Sequence, residues 1–333
     1  MLDLSNLSQG RRRSSTDAHQ VHISGHARTV AYLGYIVLLS LFFIGPLRDL
    51  ISYAATTSIH SHILLIPFIS AYLIYVQRSQ LPRHYTTCLT GALISFLCGT
   101  TAIVAASHLR DSPSTLSLND YLSLASFAFI CLLATGGFLF FGWRWMAAAA
   151  FPIGFLLFTL PLPDRVLHFL ETISQLASTE AAAIFFAIAQ TPMLREGAVF
   201  HLPGIAIEVA QECSGIRSSW VLFITTVAAS FLFLQSPWRR AFLIAFVIPL
   251  AILRNGFRIW VIGFLCVELG PQMIDSPIHH YGGPLFFALS LVPLSLLLWS
   301  LRLSEIAAAN RLSGMNDPGP KQKNLSVGLI SNE

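Results

Sequence analysis

The sequence predicts an all-α polytopic membrane protein of about eight transmembrane helices, with a small extracytoplasmic helical and β-hairpin insert before the sixth. Three observations carry that class. Of the 333 residues, 54% are hydrophobic and 11% charged, where soluble chains carry roughly 25% charge. The apolar residues fall in runs of about 20, the length a helix needs to cross the hydrocarbon. Lysines and arginines punctuate those runs instead of forming a basic face, which argues against nucleic-acid binding despite the net charge of +4.

The elements follow in order. Residues 1–28 form a polar tail containing Arg11, Arg12 and Arg13. The first apolar run follows without a cleavage site, so it reads as an anchor and not as a removed signal. Runs of spanning length lie at 30–47, 59–77, 87–107, 121–141, 145–162, 214–235, 240–266 and 283–301, and together they make residues 29–303 one multi-pass domain. Segment 163–212 differs. It opens after the turn Pro161-Leu162-Pro163-Asp164 and carries Arg165, His168, Glu171, Glu180, Arg195 and Glu196 at intervals. Its residues 165–190 read as one or two helices on the surface or against the bundle. Beyond them, Pro203-Gly204 separates two short alternating runs, a β-hairpin signal. The tail 304–333 holds Gly314, Pro318, Gly319 and Pro320 and reads as disordered.

Orientation follows from the basic residues of short loops. With the N-terminus in the cytoplasm, inside loops receive Arg28, Arg78, Arg83, Arg144, Arg239, Arg240, Arg302 and Arg311. The outer loops receive mainly Arg48, Arg110, Arg165 and Arg195. Both termini are therefore expected inside. Cys213, Arg258 and His279 then reach one extracytoplasmic face.

Five cysteines, Cys88, Cys98, Cys131, Cys213 and Cys266, form no CxxC pair and no metal-finger spacing. No HExxH is present, so neither a metal nor a cofactor is expected. Cys213, in QECSGIRSS, immediately precedes an apolar run. A helix N-terminus there stabilises a thiolate; Arg217 adds positive charge and Glu212 opposes it. A disulfide with Cys266 is the plain alternative. Arg258 shares a helix face with Arg254 and Asn255, at spacings of four and three. A guanidinium near hydrocarbon costs roughly 2.5–3.5 kcal/mol, so it calls for a purpose. Arg258 could hold an oxyanion, or serve only as counter-ion to Glu208, Glu212 or Glu268. Arg254 reads as a support or a lipid-phosphate ligand. His279 or His280 could move a thiol proton, or form a solvated helix end. His62 could join the same pocket or ring the interface. Ser214 and Ser218 lack the GxSxG setting of a serine nucleophile.

Three blocks, in order, resemble the exosortase/archaeosortase family. ECSGIRS (Glu212–Ser218) is similar to its nucleophile block, NGFRI (Asn255–Ile259) to its NxxRI block, and HHYGGPLFF (His279–Phe287) to HxxxGxxxF, with His279, Gly283 and Phe287 in register. SHILLIPFISAYLIY (Ser61–Tyr75) and FTLPLP (Phe158–Pro163) add weaker likeness. Ile63 stands where the family often has glycine, and His280 where an acidic residue is common. The resemblance implies a bacterial inner-membrane cysteine peptidase or transpeptidase with Cys213 as nucleophile, Arg258 as oxyanion partner and His279 as base. Its substrates would be exported proteins ending in a short Pro-Glu-Pro-like motif, a spanning helix and a basic cluster, commonly linked to exopolysaccharide export. The competing readings are a multi-pass transporter, or a polysaccharide-assembly scaffold, binding an anionic ligand through the same Arg and His residues.

Overall fold

The computed structural model describes residues 25–57, 59–110, 117–211, 214–276 and 282–315. Helices dominate them. Helix α1 (Gly25–Phe42) is followed by α2 (Ile44–Thr56), a tight 3-10 turn at Ser61–Leu64 and α3 (Ile66–Gln77). Then come α4 (Leu89–Arg110), α5 (Leu118–Phe140), α6 (Trp143–Ala148), α7 (Ala150–Phe155) and α8 (Asp164–Ile188). Strands β1 (Leu194–Glu196), β2 (Val199–Leu202) and β3 (Ile205–Glu208) precede α9 (Ile216–Phe233), α10 (Pro237–Leu269) and α11 (Gly283–Met315).

Six of these helices, α1, α4, α5, α9, α10 and α11, are long and apolar enough to cross a membrane, and a bent pair could supply a seventh. The expected eight differ in two places. Run 59–77 contains only the 12 residues of α3 as α-helix, about 18 Å long. Run 145–162 breaks into α6, α7 and a 3-10 turn at Leu156–Thr159. Pro161 and Pro163 then stop the helix, because a residue before proline is pushed out of the helical region. The chain turns by 87° between 150–159 and α8. Residues 165–190, read as one or two helices, lie largely in the single helix α8.

The chain divides into two compact units at His168/Phe169. In the first, α4 and α5 pack side by side. A Cβ on Gly99 would lie 3.0 Å from Leu132, and one on Gly91 2.8 Å from Phe138, so the small residues of α4 admit the large ones of α5. Tyr32 and Tyr35 of α1 donate to the Leu133 and Leu132 carbonyls at 3.2 and 2.8 Å. The Pro161–Asp164 turn is pinned to the start of α5. There, Asn119 Nδ2 donates to the Leu162 carbonyl and to Asp164 Oδ1, and Asp164 N donates to Asp120 Oδ1.

In the second unit one apolar cluster joins α8 (Ala182, Phe186), the strands (Phe200, Leu202, Ile207), the adjoining Val209, and α10 (Ile259, Ile262, Cys266). The sheet is antiparallel in the order β1-β2-β3, with Phe200 opposite Ile207 and Leu202 opposite Ile205. Pro203-Gly204 makes the turn between β2 and β3, and β1 is a strand the sequence pattern did not indicate. A second cluster, Leu222, Leu243, Val247, Leu294 and Leu301, joins α9, α10 and α11. At its far end Glu305 accepts from Gln235 N and Ser236 N and pairs with Arg239, satisfying free amides before α10.

Close approach of α8 to α10 depends on Gly256. A Cβ there would sit 2.5 Å from Ala181 Cβ and 2.9 Å from Ala182 N, and backbone cannot step aside cheaply. Gly256→Val is expected to cost about 1–3 kcal/mol in thermal unfolding of the detergent-solubilised protein. Gly34→Ala, with nothing within 4 Å of the added carbon, is expected to leave stability unchanged.

Candidate active site

The second unit holds one dense polar knot around the turn that opens α9. Ser214 is fully buried. Its amide donates to the Gln211 carbonyl at 2.9 Å, and its carbonyl accepts from Ser174 Oγ of α8 at 2.9 Å. The next residue, Gly215, caps α9 with φ +73°, a left-handed conformation that favours glycine. A Cβ there would also lie 2.6 Å from Asn255 Oδ1. Space and backbone therefore both demand glycine.

Helix α10 grips this turn from the other side. Arg254 Nη2 donates to the Gly215 carbonyl at 3.3 Å and to Ser219 Oγ at 3.0 Å. Arg254 is only 6% exposed, and Asn255 is buried beside it. Arg254 Nη1 and the buried Ser178 Oγ have no hydrogen-bond partner among the described residues. A desolvated guanidinium held mainly by a carbonyl and a hydroxyl is costly, so the position selects strongly for a donor fork of this shape.

The structure places the sequence-derived residues as follows. Arg254 and Asn255 meet the Ser214-Gly215 turn directly. Arg258 lies one turn further along the same helix face, half-buried. Arg217, in the first turn of α9, is exposed. Glu212, Cys213, His279 and His280 lie outside the described residues. The neighbours Gln211 and Ser214 belong to the polar knot. Met273 and Ile274, which precede the histidine pair, pack on the cluster that includes Ile259 and Ile262 of α10. Cys266 is a free thiol buried in that cluster, so the structure does not contain the alternative disulfide.

Sequence reading missed Ser174, Gln175 and Ser178. Ser174 holds the Ser214 carbonyl, and Gln175 Nε2 donates to the Val209 carbonyl. Their signal was three polar side chains within five residues of α8, unreadable as a site without knowing what packs there.

His62 belongs to the first unit, in the 3-10 turn before α3 and outside the six spanning helices. Its Nδ1 lies 3.1 Å from the Ile59 carbonyl. His60 is more deeply buried, 2% exposed, with neither ring nitrogen bonded among the described residues. Its ring centroid is 5.1 Å from that of Tyr53. Burial, then the neighbouring His62, push the His60 imidazole down to about 4, against an opposing pull from Asp164. His62 is lowered too, chiefly by burial.

Among the described residues, no group of three or more His, Cys, Asp or Glu is arranged to hold a metal ion. The architecture is thus a polytopic membrane protein with a glycine turn clamped between two long helices. Residues 54–296 match the family described as transmembrane exosortase (Exosortase_EpsH). The match covers well over half the chain and includes all three sequence blocks; the chain belongs to that family. No curated protein and no solved structure gave a match.

His60 takes up its proton less readily in the folded chain than unfolded, from an ordinary 6.5 down to about 4. Its contribution to stability is therefore intact above pH 6.5 and declines as pH falls below it. The loss levels off near pH 4, at roughly 3 kcal/mol. Chemical unfolding in detergent between pH 7 and 4.5 should show that slope, and His60→Gln should flatten it.

Proposed function

We propose that this exosortase-family protein is a membrane-embedded cysteine peptidase or transpeptidase that cuts a C-terminal sorting signal from exported proteins. The observation that supports this best is the grip of Arg254 and Asn255 on Gly215. It ties Gly215, two positions after Cys213 in the sequence, to the helix face that carries Arg258. Preorganisation of that kind is what acyl-transfer catalysis needs.

In this reading the substrate's spanning helix docks laterally and presents its extracytoplasmic motif to Cys213. His279, or its neighbour His280, takes the thiol proton, and Sγ attacks the scissile carbonyl. Arg258 donates hydrogen bonds to the oxyanion of the tetrahedral intermediate. The C–N bond then breaks, the leaving amine takes the proton from the histidine, and a thioester remains on Cys213. Water or an acceptor amine resolves it. Glu212 and Arg217 set the local charge around the thiol; Arg254 and Asn255 hold the turn. The protein sits in the bacterial inner membrane with residues 1–28 and 304–333 in the cytoplasm and segment 163–212 on the other side. Its substrates carry a short Pro-Glu-Pro-like motif, a spanning helix and a basic cluster, and are exported alongside exopolysaccharide.

Cys213→Ala is expected to abolish cleavage of a co-expressed substrate bearing such a tail while the variant still inserts; full cleavage would rule the peptidase out. Arg258→Ala is expected to lower kcat by about 10²–10³, as loss of an oxyanion donor does. Its Cys213 alkylation rate should change far less. Gels of substrate processing beside maleimide labelling separate the two effects.

A further inference from the structure

The three-stranded sheet has an open edge along β3, among the described residues, and the chain beyond it runs on to the Ser214-Gly215 turn. Val209 N donates to the Ala198 carbonyl at 2.9 Å, continuing the register in which Phe200 faces Ile207 and Leu202 faces Ile205. Hydrogen-bonded pairs alternate in an antiparallel ladder, so Ile205, Ile207 and the amide of Val209 are turned to β2. The amides and carbonyls of Ala206 and Glu208 point the other way. Both residues are exposed, and no backbone partner is seen for that side among the described residues. The opposite edge, β1, offers only Arg195 in the outward phase, and its side chain is engaged with Gly197 and Glu180.

Two further observations give the edge a direction. The carbonyl of Val209, at the end of β3, and that of Ser214, next to Cys213, accept from consecutive residues of α8, Gln175 and Ser174. The end of the strand and the Ser214-Gly215 turn are therefore held by neighbouring residues of one helix. The sheet is also rigidly seated, because Phe200, Leu202 and Ile207 belong to the apolar cluster of α8 and α10. Unpaired strand groups cannot lie in hydrocarbon, so the edge is expected outside the lipid core.

We propose that the outer edge of β3 is a strand-docking site for the extended substrate segment beside the scissile bond, paired through the backbone of Ala206 and Glu208. This rests on the peptidase reading and adds to it a means of recognition. Main-chain pairing is tolerant of substrate side chains, and it fixes the register of the scissile carbonyl relative to Cys213. One face of the docked segment would be read by neighbouring residues and the other left to solvent.

The test uses the full-length protein with a co-expressed tail-bearing substrate. Ala206→Pro removes one outward N–H, leaves the β2 ladder intact, and suits an edge position. Cleavage is expected to fall roughly tenfold or more, with Cys213 alkylation unchanged; Ala206→Ser, which keeps the N–H, should cleave within about twofold of wild type. Independently, in a Cys213→Ala background, Ala206→Cys or Glu208→Cys should form disulfides with single cysteines placed at alternate positions near the substrate's cleavage point. Wild-type cleavage by Ala206→Pro would overturn the proposal. So would cross-links lacking a two-residue period, or cross-links only to a second copy of this chain. A Cys213→Ala variant that still cleaves sinks the peptidase reading, whereas an inactive Cys213→Ala beside a fully active Ala206→Pro sinks the edge alone.

Discussion

The second unit depends on the contact between one glycine turn and one buried arginine. Gly215 must be left-handed to start α9 where it does, and it must lack a Cβ to receive Asn255. Arg254 then closes the turn through its carbonyl. The arrangement is demanding in both directions. A side chain at 215 would strain the backbone and collide, and a shorter cation at 254 would leave the Gly215 carbonyl and Ser219 hydroxyl without their donor. Buried polar groups are costly once their partners are lost, so a change at either member is expected to weaken the knot. It is a suitable place to hold chemistry whose geometry must not drift.

The membrane class was legible because hydrocarbon imposes a single length and a single composition on spanning helices. The number of spans was less so. Run 145–162 is as apolar as its neighbours, yet Ala149 leaves the helical region at ψ 11° and Pro161 and Pro163 end the helix. Hydropathy does not register such breaks. Run 59–77 is likewise not one continuous helix, since His60 and His62 occupy a turn and a 3-10 segment ahead of a short α3. The β2–β3 turn was readable because Pro-Gly between alternating runs is a local signal; β1 has only three residues and no alternation long enough to see.

Within the candidate site, Arg258 and Asn255 were legible as one helix face from their spacing alone. The work of Arg254 was not, because its partners Gly215 and Ser219 lie 39 and 35 residues away in sequence. Ser174 and Ser178 were invisible for the same reason. The residues with recognisable chemistry came from short blocks; the residues that hold them in place are defined by tertiary contact, and only coordinates bring those forward.

Helix α10 explains how an arginine can be kept near hydrocarbon at all. It runs 33 residues, about 50 Å, far more than the roughly 30 Å of the hydrocarbon core. Its start is marked by Arg239, which pairs with Glu305, and by Arg240. From Pro237 to Arg258 the helix rises about 32 Å. With the first turn at one boundary, the guanidinium of Arg258 therefore arrives near the other boundary and not at the midplane, where the cost would be greatest. The last turns project beyond, and there Ile259, Ile262 and Cys266 pack against the sheet. Along α10 the order is thus the basic pair Arg239 and Arg240 near its start, Arg258 about 32 Å further on, and at its end the residues that pack with the sheet. A shorter α10 with the same residues would leave Arg258 nearer the midplane, where its cost is greatest.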